Sequence, residues 1–191
     1  MTKTTTSSQA QGTMPLVGAT SKNDRFHAMF DEQFPYVWTS LRRLGIATRD
    51  LEDITHEVFI QVYRQMDRYD PTRSIKPWLF AFAFRFASDY RRLARHKVEL
   101  SDESDNVSSP LAGAEELLVQ KETRQLVMQA LEKIDIDRRA VFILYELDGS
   151  PMNEIAVALD VPRNTLYSRL RVAREEFKEA FRRLQTTGGR S

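Results

Sequence analysis

The segment GSPMNEIAVALDVPRNTLYSRLRVAR, residues 149–174, contains the strongest structural pattern in this chain of 191 residues. Ser150 and Pro151 predict the start of a helix, because serine caps helix N-termini and proline is favoured at the first helical position. Asp160-Val161-Pro162 predicts a short break, and a longer basic helix follows from Arg163. A short helix, a tight turn and a second helix are the pattern of a helix-turn-helix.

The start of the second helix carries side chains that suit nucleic acid. We expect the following residues near its exposed end: Arg163, Asn164, Thr165, Ser168 and Arg169. Such groups contact phosphates and base edges in the major groove of DNA. An ordinary helical hairpin is the alternative interpretation. The cap, the turn spacing and the basic second helix together favour DNA binding.

The net charge of +1 conceals an uneven distribution. Residues 84–98 carry a net charge of +4, residues 99–122 carry −6, and residues 163–184 again carry +4. Two basic patches on separate helices suggest a polyanion that is contacted at two places. A solvated helix face would explain either patch alone.

Helical periodicity also extends over the first half of the chain, from about residue 24 to residue 95. Gly45 predicts the end of the first helix, and Pro35 inside it predicts a kink or a break. Thr48 is expected to cap the next helix. The aromatic residues of 78–86 alternate as in a strand, but the apolar stripe that continues to Leu93 favours a helix.

These patterns predict an all-α fold with two small helical domains joined by a flexible linker. The expected boundaries are a disordered tail over 1–22, a first domain over 23–96, an acidic linker over 97–114, a helix-turn-helix domain over 115–185 and a disordered tail over 186–191. In the second domain, Asp137 is expected to open the helix before the helix-turn-helix.

Composition excludes several classes of site. The chain has no cysteine, so disulfides, cysteine-ligated zinc and a thiol nucleophile are excluded. Its three histidines share no metal-ligand spacing, and its glycines form no phosphate-binding loop. No apolar run approaches the ~18 residues of a membrane span, and the N-terminus has no signal-peptide pattern. We expect a soluble cytoplasmic protein with no membrane insertion, no cofactor, no metal site and no catalytic residue.

Motifs in both halves resemble one family. Glu154-Ile155-Ala156 through Val161-Pro162, followed by 165–170 and Ala173-Arg174, is similar to the −35-reading domain of bacterial RNA polymerase sigma factors. Residues 50–59 resemble the helix that grips the polymerase clamp. Trp78-Leu79 and 89–92 resemble the segment that melts and reads the −10 element. Because the linker between the two motifs is short, the chain resembles the small extracytoplasmic function (ECF) class of this family.

The resemblance implies promoter recognition and three sets of site residues. The clamp-binding set is Asp53, His56 and Glu57; the −10 set is Tyr69, Arg85, Arg91, Arg92 and Arg95; the −35 set is the five residues above with Arg171 and Arg174, which would lie nearer the DNA backbone. The implied partners are the clamp and flap of core RNA polymerase, promoter DNA and an anti-sigma factor.

The chain departs from the family pattern at four positions. His56 stands where the family usually has glutamine, and Arg85 stands where an asparagine faces the flipped base. Tyr167 and Val172 stand where basic residues are common. The second hypothesis is a helix-turn-helix regulator that binds DNA without polymerase. An enzyme is a third, which no paired catalytic residues support.

Overall fold

The computed structural model describes residues 21–98 and 115–188, with side chains described for 21–94 and 122–186. This part of the chain is helical with short connections, which confirms the predicted all-α fold. The helices are α1 (Lys22–Leu44), α2 (Leu51–Gln65), α3 (Ile75–Val98), α4 (Glu115–Glu132), α5 (Ile136–Phe142), α6 (Met152–Leu159) and α7 (Arg163–Gly188). A π-helical turn, Ile143–Leu147, continues α5.

The first domain consists of α1, α2 and α3, which pack pairwise around a common core. A capping box formed by Ser21 and Asp24 starts α1, and Gly45 ends it in the left-handed conformation. Pro35 was predicted to kink or to break the first helix, and the break is wrong, because α1 is continuous across it. Proline removes one backbone hydrogen bond, and the fully buried Val37 and Leu41 in the next turn hold the helix in the core.

The cap expected at Thr48 is also wrong. Thr48–Asp50 forms a separate 3-10 turn, and α2 begins at Leu51 without a side-chain cap. The 3-10 turn carries the chain from α1 into α2, and burial of Leu51 fixes where α2 starts. The ambiguous aromatic segment is helical, as predicted, and belongs to α3.

The second domain confirms the helix-turn-helix of α6 and α7. Asp160 forms the turn between them at a φ of 54°, and Ile155, Leu166 and Leu170 are buried in its core. Two of the expected caps differ. Asp135, not Asp137, caps α5, since its side chain accepts a hydrogen bond from the Asp137 amide. Ser150 does not cap α6; it is buried, and its amide donates to the Leu144 carbonyl.

The described helices extend past two of the expected boundaries. Helix α3 runs to Val98 and α7 runs to Gly188, so residues 97–98 and 186–188 are helical. Most of the predicted tail over 1–22 and of the acidic linker over 97–114 lies outside the described residues.

The two domains pack against each other, which sequence patterns did not predict. Helix α6 contacts α3, and α1 contacts both α4 and α5. The buried apolar residues of the two domains form one cluster as a result.

Arg139 of α5 is fully buried at this junction. Its Nη1 donates to the Leu44 carbonyl at 3.0 Å, and its Nη2 donates to the Ile134 carbonyl at 2.9 Å. The Leu44 carbonyl is at the C-terminal end of α1, where the helix dipole favours a cation, and the Ile134 carbonyl lies in the connection between α4 and α5. Burial and the charge of Arg91 lower the pKa of Arg139 to about 10, so the guanidinium stays charged at neutral pH.

Gly45 makes room for this arginine. Its φ is +98°, and a Cβ atom there would lie 2.9 Å from Nη1 of Arg139 and 3.0 Å from Nη1 of Arg91. Gly149 has a φ of +67°, but a Cβ there would meet no described atom within 4 Å. The two glycines therefore differ in packing and share the left-handed conformation.

We expect Gly45→Ala to lower the free energy of unfolding by about 2–4 kcal/mol, from left-handed strain plus overpacking. Gly149→Ala is the matched control and should lower it by about 1 kcal/mol, from the backbone conformation alone. Urea unfolding of both variants measures the difference. Equal losses would show that the guanidinium does not constrain position 45.

Candidate polymerase and nucleic-acid interfaces

Helix α2 presents the three predicted clamp-binding residues on one exposed surface. Asp53, His56 and Glu57 are all exposed, while Thr55 and Val58 on the opposite side are buried. Among the described residues, neither Asp53 nor Glu57 has an ion-pair partner. These carboxylates are therefore available to basic groups of another molecule.

An apolar groove of about 470 Å³ adjoins this surface between α1 and α2. Phe26, Phe30 and Phe59 form its aromatic floor, and Ile60 and Tyr63 on its rim are 51% and 37% exposed. His56 joins the two surfaces, since its ring stacks on Phe30 with the ring centres 6.3 Å apart. The sequence interpretation missed this groove, although apolar residues at two exposed positions of α2 were a visible signal.

The loop between α2 and α3 encloses a second cavity, of about 240 Å³. We call it the loop cavity; its first-domain lining includes Tyr69, Trp78, Phe82 and Arg85. The Tyr69 ring lies 5.0 Å from Trp78, and its hydroxyl donates to the Arg73 carbonyl at 2.6 Å. Burial raises the pKa of Tyr69, so its hydroxyl stays protonated. The cavity therefore has aromatic walls, and the hydrogen bond to Arg73 holds Tyr69 in place within the loop.

The predicted basic residues of α3 do not share one face. Arg85 is exposed above the Phe82 ring, with its guanidinium carbon 5.6 Å from the ring centre. Arg92 lies two turns further along the same face and pairs with Asp89 at 3.0 Å. Arg91 is half-buried beside Gly45 at the domain junction. The side chain of Arg95 lies outside the described side chains. The structure therefore brings Tyr69 and Arg85 together and separates Arg91 from them.

The exposed face of α7 contains most of the predicted −35 set. Arg163, Asn164, Ser168 and Arg171 are exposed and fall within about 140° of the helix circumference. Thr165 is exposed at the edge of this face. Tyr167 lies in its middle and is 55% exposed. The predicted set omitted Tyr167, although its helical spacing from Asn164 and Arg171 placed it there.

Arg169 and Arg174 are held by carboxylates of the same domain. Arg169 is half-buried on another side of α7 and pairs with Asp137 of α5 at 3.0 Å. It is the one residue of the predicted −35 set that lies off the exposed face. Arg174 is exposed and pairs with Glu146 at 2.6 Å. Arg171 pairs with Glu175 at 3.0 Å on the exposed side of the helix.

The described part of the chain contains neither a candidate metal site nor a membrane-spanning helix. No group of three or more His, Cys, Asp and Glu side chains in this part of the chain could hold a metal ion. None of its helices is long and apolar enough to span a membrane.

Two family models match the chain, one in each domain. The model of sigma-70 region 2 matches residues 29–97, and the model of sigma-70, region 4 matches residues 124–177. The ECF RNA polymerase sigma-E factor of Escherichia coli (strain K12) is 31% identical over 139 residues, which cover 68% of this chain and 73% of that protein. The RNA polymerase sigma factor NccH of Alcaligenes xylosoxydans xylosoxydans is 27% identical over 137 residues, or 70% and 74% of the two chains.

Solved structures show the same fold. A chain in the complex of the sigma factor RpoE with the anti-sigma factor NepR from Bartonella quintana has a TM-score of 0.65 at 20% identity, covering 83% of this chain and 97% of that one. A chain in the complex of CnrH with the cytosolic domain of CnrY has a TM-score of 0.56 at 21% identity, covering 82% and 87%. On the strength of the two domain models and the relatives, this chain belongs to the ECF sigma factors of bacterial RNA polymerase.

Proposed function

We propose that this protein binds core RNA polymerase through α2, reads the −10 element at the loop cavity and reads the −35 element with the exposed face of α7. The observation that carries the proposal is the presence of both sigma-70 regions, in order, in one chain. A stand-alone DNA-binding regulator has no use for the α2 surface. Run-off transcription with core polymerase tests the proposal, and we expect transcripts only when this protein is added.

The α2 surface supports the polymerase contact. Carboxylates that lack a partner within the described part of the chain gain most from basic groups on another molecule, because they give up no existing ion pair. The neighbouring aromatic groove can accept an apolar side chain, and buried aromatic anchors supply most of the energy of an interface. Together they form a contact that is charged on one side and apolar on the other.

The loop cavity supports recognition of an unstacked base. Aromatic walls can stack a base, which contributes about 1–3 kcal/mol per base. Arg85 supplies only hydrogen-bond donors, so it favours an acceptor-rich edge such as that of guanine, or a phosphate. The position usually held by asparagine in this family therefore has a different preference here.

The exposed face of α7 supports recognition of duplex DNA. Its polar side chains suit base edges, while Tyr167 offers a ring that can contact the methyl group of thymine. Arg171 and Arg174 lie further along the helix, where phosphates are the nearer partners. Because two domains act on one DNA molecule, the affinity of each domain alone can be low.

We also propose that an anti-sigma factor inhibits this protein and that it acts in the cytoplasm. Both solved complexes support an inhibitory partner, because the sigma factor RpoE is bound to the anti-sigma factor NepR and CnrH is bound to the cytosolic domain of CnrY. The function itself is that of a non-enzymatic initiation factor.

For the clamp contact, we expect the double variant Asp53→Lys and Glu57→Lys to lose core polymerase in co-purification. The lysines would face the basic groups that the carboxylates attract. The control is Glu122→Lys and Glu179→Lys, which makes the same charge change at exposed positions of the other domain. If the α2 variant co-purifies at the wild-type level and has a wild-type circular dichroism melt, the assignment is wrong.

For the −35 element, Tyr167→Ala should relax base preference at one position, at a cost of about 1–3 kcal/mol. Arg174→Ala should weaken binding to all sequences alike, because a phosphate contact carries no sequence information. Selection from a promoter library with each variant measures both effects. If Tyr167→Ala leaves the base preference unchanged, Tyr167 does not read the −35 element. The same test applies to Arg169→Ala.

For the −10 element, Tyr69→Ala and Arg85→Ala should each shorten the lifetime of the open complex by roughly tenfold, the equivalent of ~1.4 kcal/mol. Pre-melted promoters with each base at the flipped position measure the effect and show which base Arg85 favours. Arg25→Ala is the control, because it removes an arginine at an exposed position of α1 that belongs to none of the proposed contact sets. Unchanged lifetimes for every base would place the base pocket elsewhere.

A further inference from the structure

The aromatic groove between α1 and α2 presents an apolar surface within the described part of the chain. Its floor is aromatic, and the partly exposed Ile60 and Tyr63 place hydrophobic groups on its rim. Its volume of about 470 Å³ lies in the range of pockets that enclose a bound group. Apolar groups that are exposed together mark a contact with another segment or molecule. The groove therefore calls for an occupant.

The N-terminus of α1 is fixed to the rim of this groove. Lys22 pairs with Asp67 at 2.5 Å, and its Nζ lies 5.1 Å from the centre of the Tyr63 ring. The Tyr63 hydroxyl donates to Oδ1 of Asn23 at 2.7 Å. These contacts tie the first turn of α1 to the end of α2. Residues 1–20, which lie outside the described residues, therefore join the described chain beside the groove.

Residues 1–20 contain one short apolar segment, MPLV, at residues 14–17. Thr, Ser, Gln and Gly make up most of the other positions. Proline disfavours a helix, so the apolar segment is not expected to extend α1. Gly12 and Gly18 stand on either side of it, and glycine allows the backbone to reverse direction. This is the pattern of a short docking segment that can turn back on the helix it precedes.

The apolar segment is within reach of the groove. Val17 precedes Ser21 by four residues, and an extended chain spans at most about 3.6 Å per residue, or roughly 14 Å in all. Phe26 and Phe30 of the groove floor follow Ser21 by five and nine residues, or roughly 8 and 14 Å along α1. A reversal of direction at the intervening glycine therefore places the apolar segment over the aromatic floor.

The covalent connection makes a weak contact sufficient. A short flexible linker gives the attached segment an effective concentration on the order of millimolar at the groove. A segment whose free peptide binds with a dissociation constant of the same order is then docked about half of the time. Two aliphatic side chains against an aromatic floor need no further partner to reach that level.

We propose that Leu16 and Val17 of the apolar segment occupy the aromatic groove in the free protein. The groove adjoins Asp53, His56 and Glu57 on α2, so a docked segment and an apolar side chain of core polymerase exclude each other there. The docking rests on the groove and on the sequence before it. The competition rests in addition on the polymerase contact proposed above.

Disulfide cross-linking measures the docking directly, because the chain has no cysteine of its own. Thr13→Cys places a thiol beside the apolar segment, and Ile60→Cys places one on the groove rim. Adding Leu16→Ser and Val17→Ser to this pair keeps the length of the connection and removes the apolar side chains. We expect the full-length serine variant to form the disulfide about five- to tenfold more slowly under a mild oxidant, because only the effective concentration of the connection remains.

The matched control exchanges the two apolar residues, as Leu16→Val with Val17→Leu, in the same cysteine pair. It keeps the aliphatic surface and should form the disulfide at the rate of the unchanged segment. These substitutions lie outside the described helices, so they leave the packed core as it is. Equal rates for the serine variant and the exchange control would overturn the docking.

Affinity for core polymerase tests the competition, in proteins without the added cysteines. Since the apparent dissociation constant is the intrinsic one divided by the fraction with an open groove, Leu16→Ser with Val17→Ser should bind about two- to fivefold more tightly than the exchange control. Equal affinities would overturn the competition. Failure of the wild type to bind core polymerase would instead overturn the proposed function, while the cross-linking rates would still decide the docking.

Discussion

The junction of the two domains depends on one buried charge. The guanidinium of Arg139 has no carboxylate hydrogen-bonded to it in the described part of the chain; its hydrogen bonds go to the Leu44 and Ile134 carbonyls. The last carbonyls of a helix have no partner within it, so one cation satisfies the end of α1 and, at the same time, the connection that follows α4. The buried charge in turn requires a residue without a side chain at Gly45. This interaction therefore fixes how α1 ends and, beside the contacts of Asp148 with Tyr36 and Arg43, joins the second domain to the first.

The surfaces that we propose bind polymerase and DNA are parts of the protein that this packing leaves incomplete. On α2, carboxylates lie beside an open aromatic groove, while on α7 polar side chains surround the exposed Tyr167. The loop cavity is different, because residues of α6 line one side of it. Two of the three proposed contact surfaces are therefore open on one domain, and the third lies between the domains.

The sequence predicts what depends on local periodicity. It correctly predicts the helices, the break at Asp160 and the exposure of Asp53, His56 and Glu57, because each follows from spacing along one helix. It fails at Thr48 and Ser150, where a good capping residue is overridden by a 3-10 turn and by burial. It also fails to predict the domain junction, since Arg139 and Asp148 find their partners about a hundred residues away. The same reason explains Arg169, whose partner Asp137 lies on another helix.

The ion pairs on α7 would allow DNA to bind reversibly. Arg171 and Arg174 are each paired with a carboxylate of the same domain. Exposed pairs of this kind contribute about 0–1 kcal/mol, so a phosphate can replace the carboxylate at little cost. Before DNA binds, the ion pairs keep the arginine side chains extended. The carboxylates also reduce the positive field around the helix, which lowers binding to other polyanions. In the proposed function, sequence preference is then left to the uncharged residues of the exposed face, above all Asn164, Tyr167 and Ser168, because base contacts rather than phosphate contacts carry sequence information.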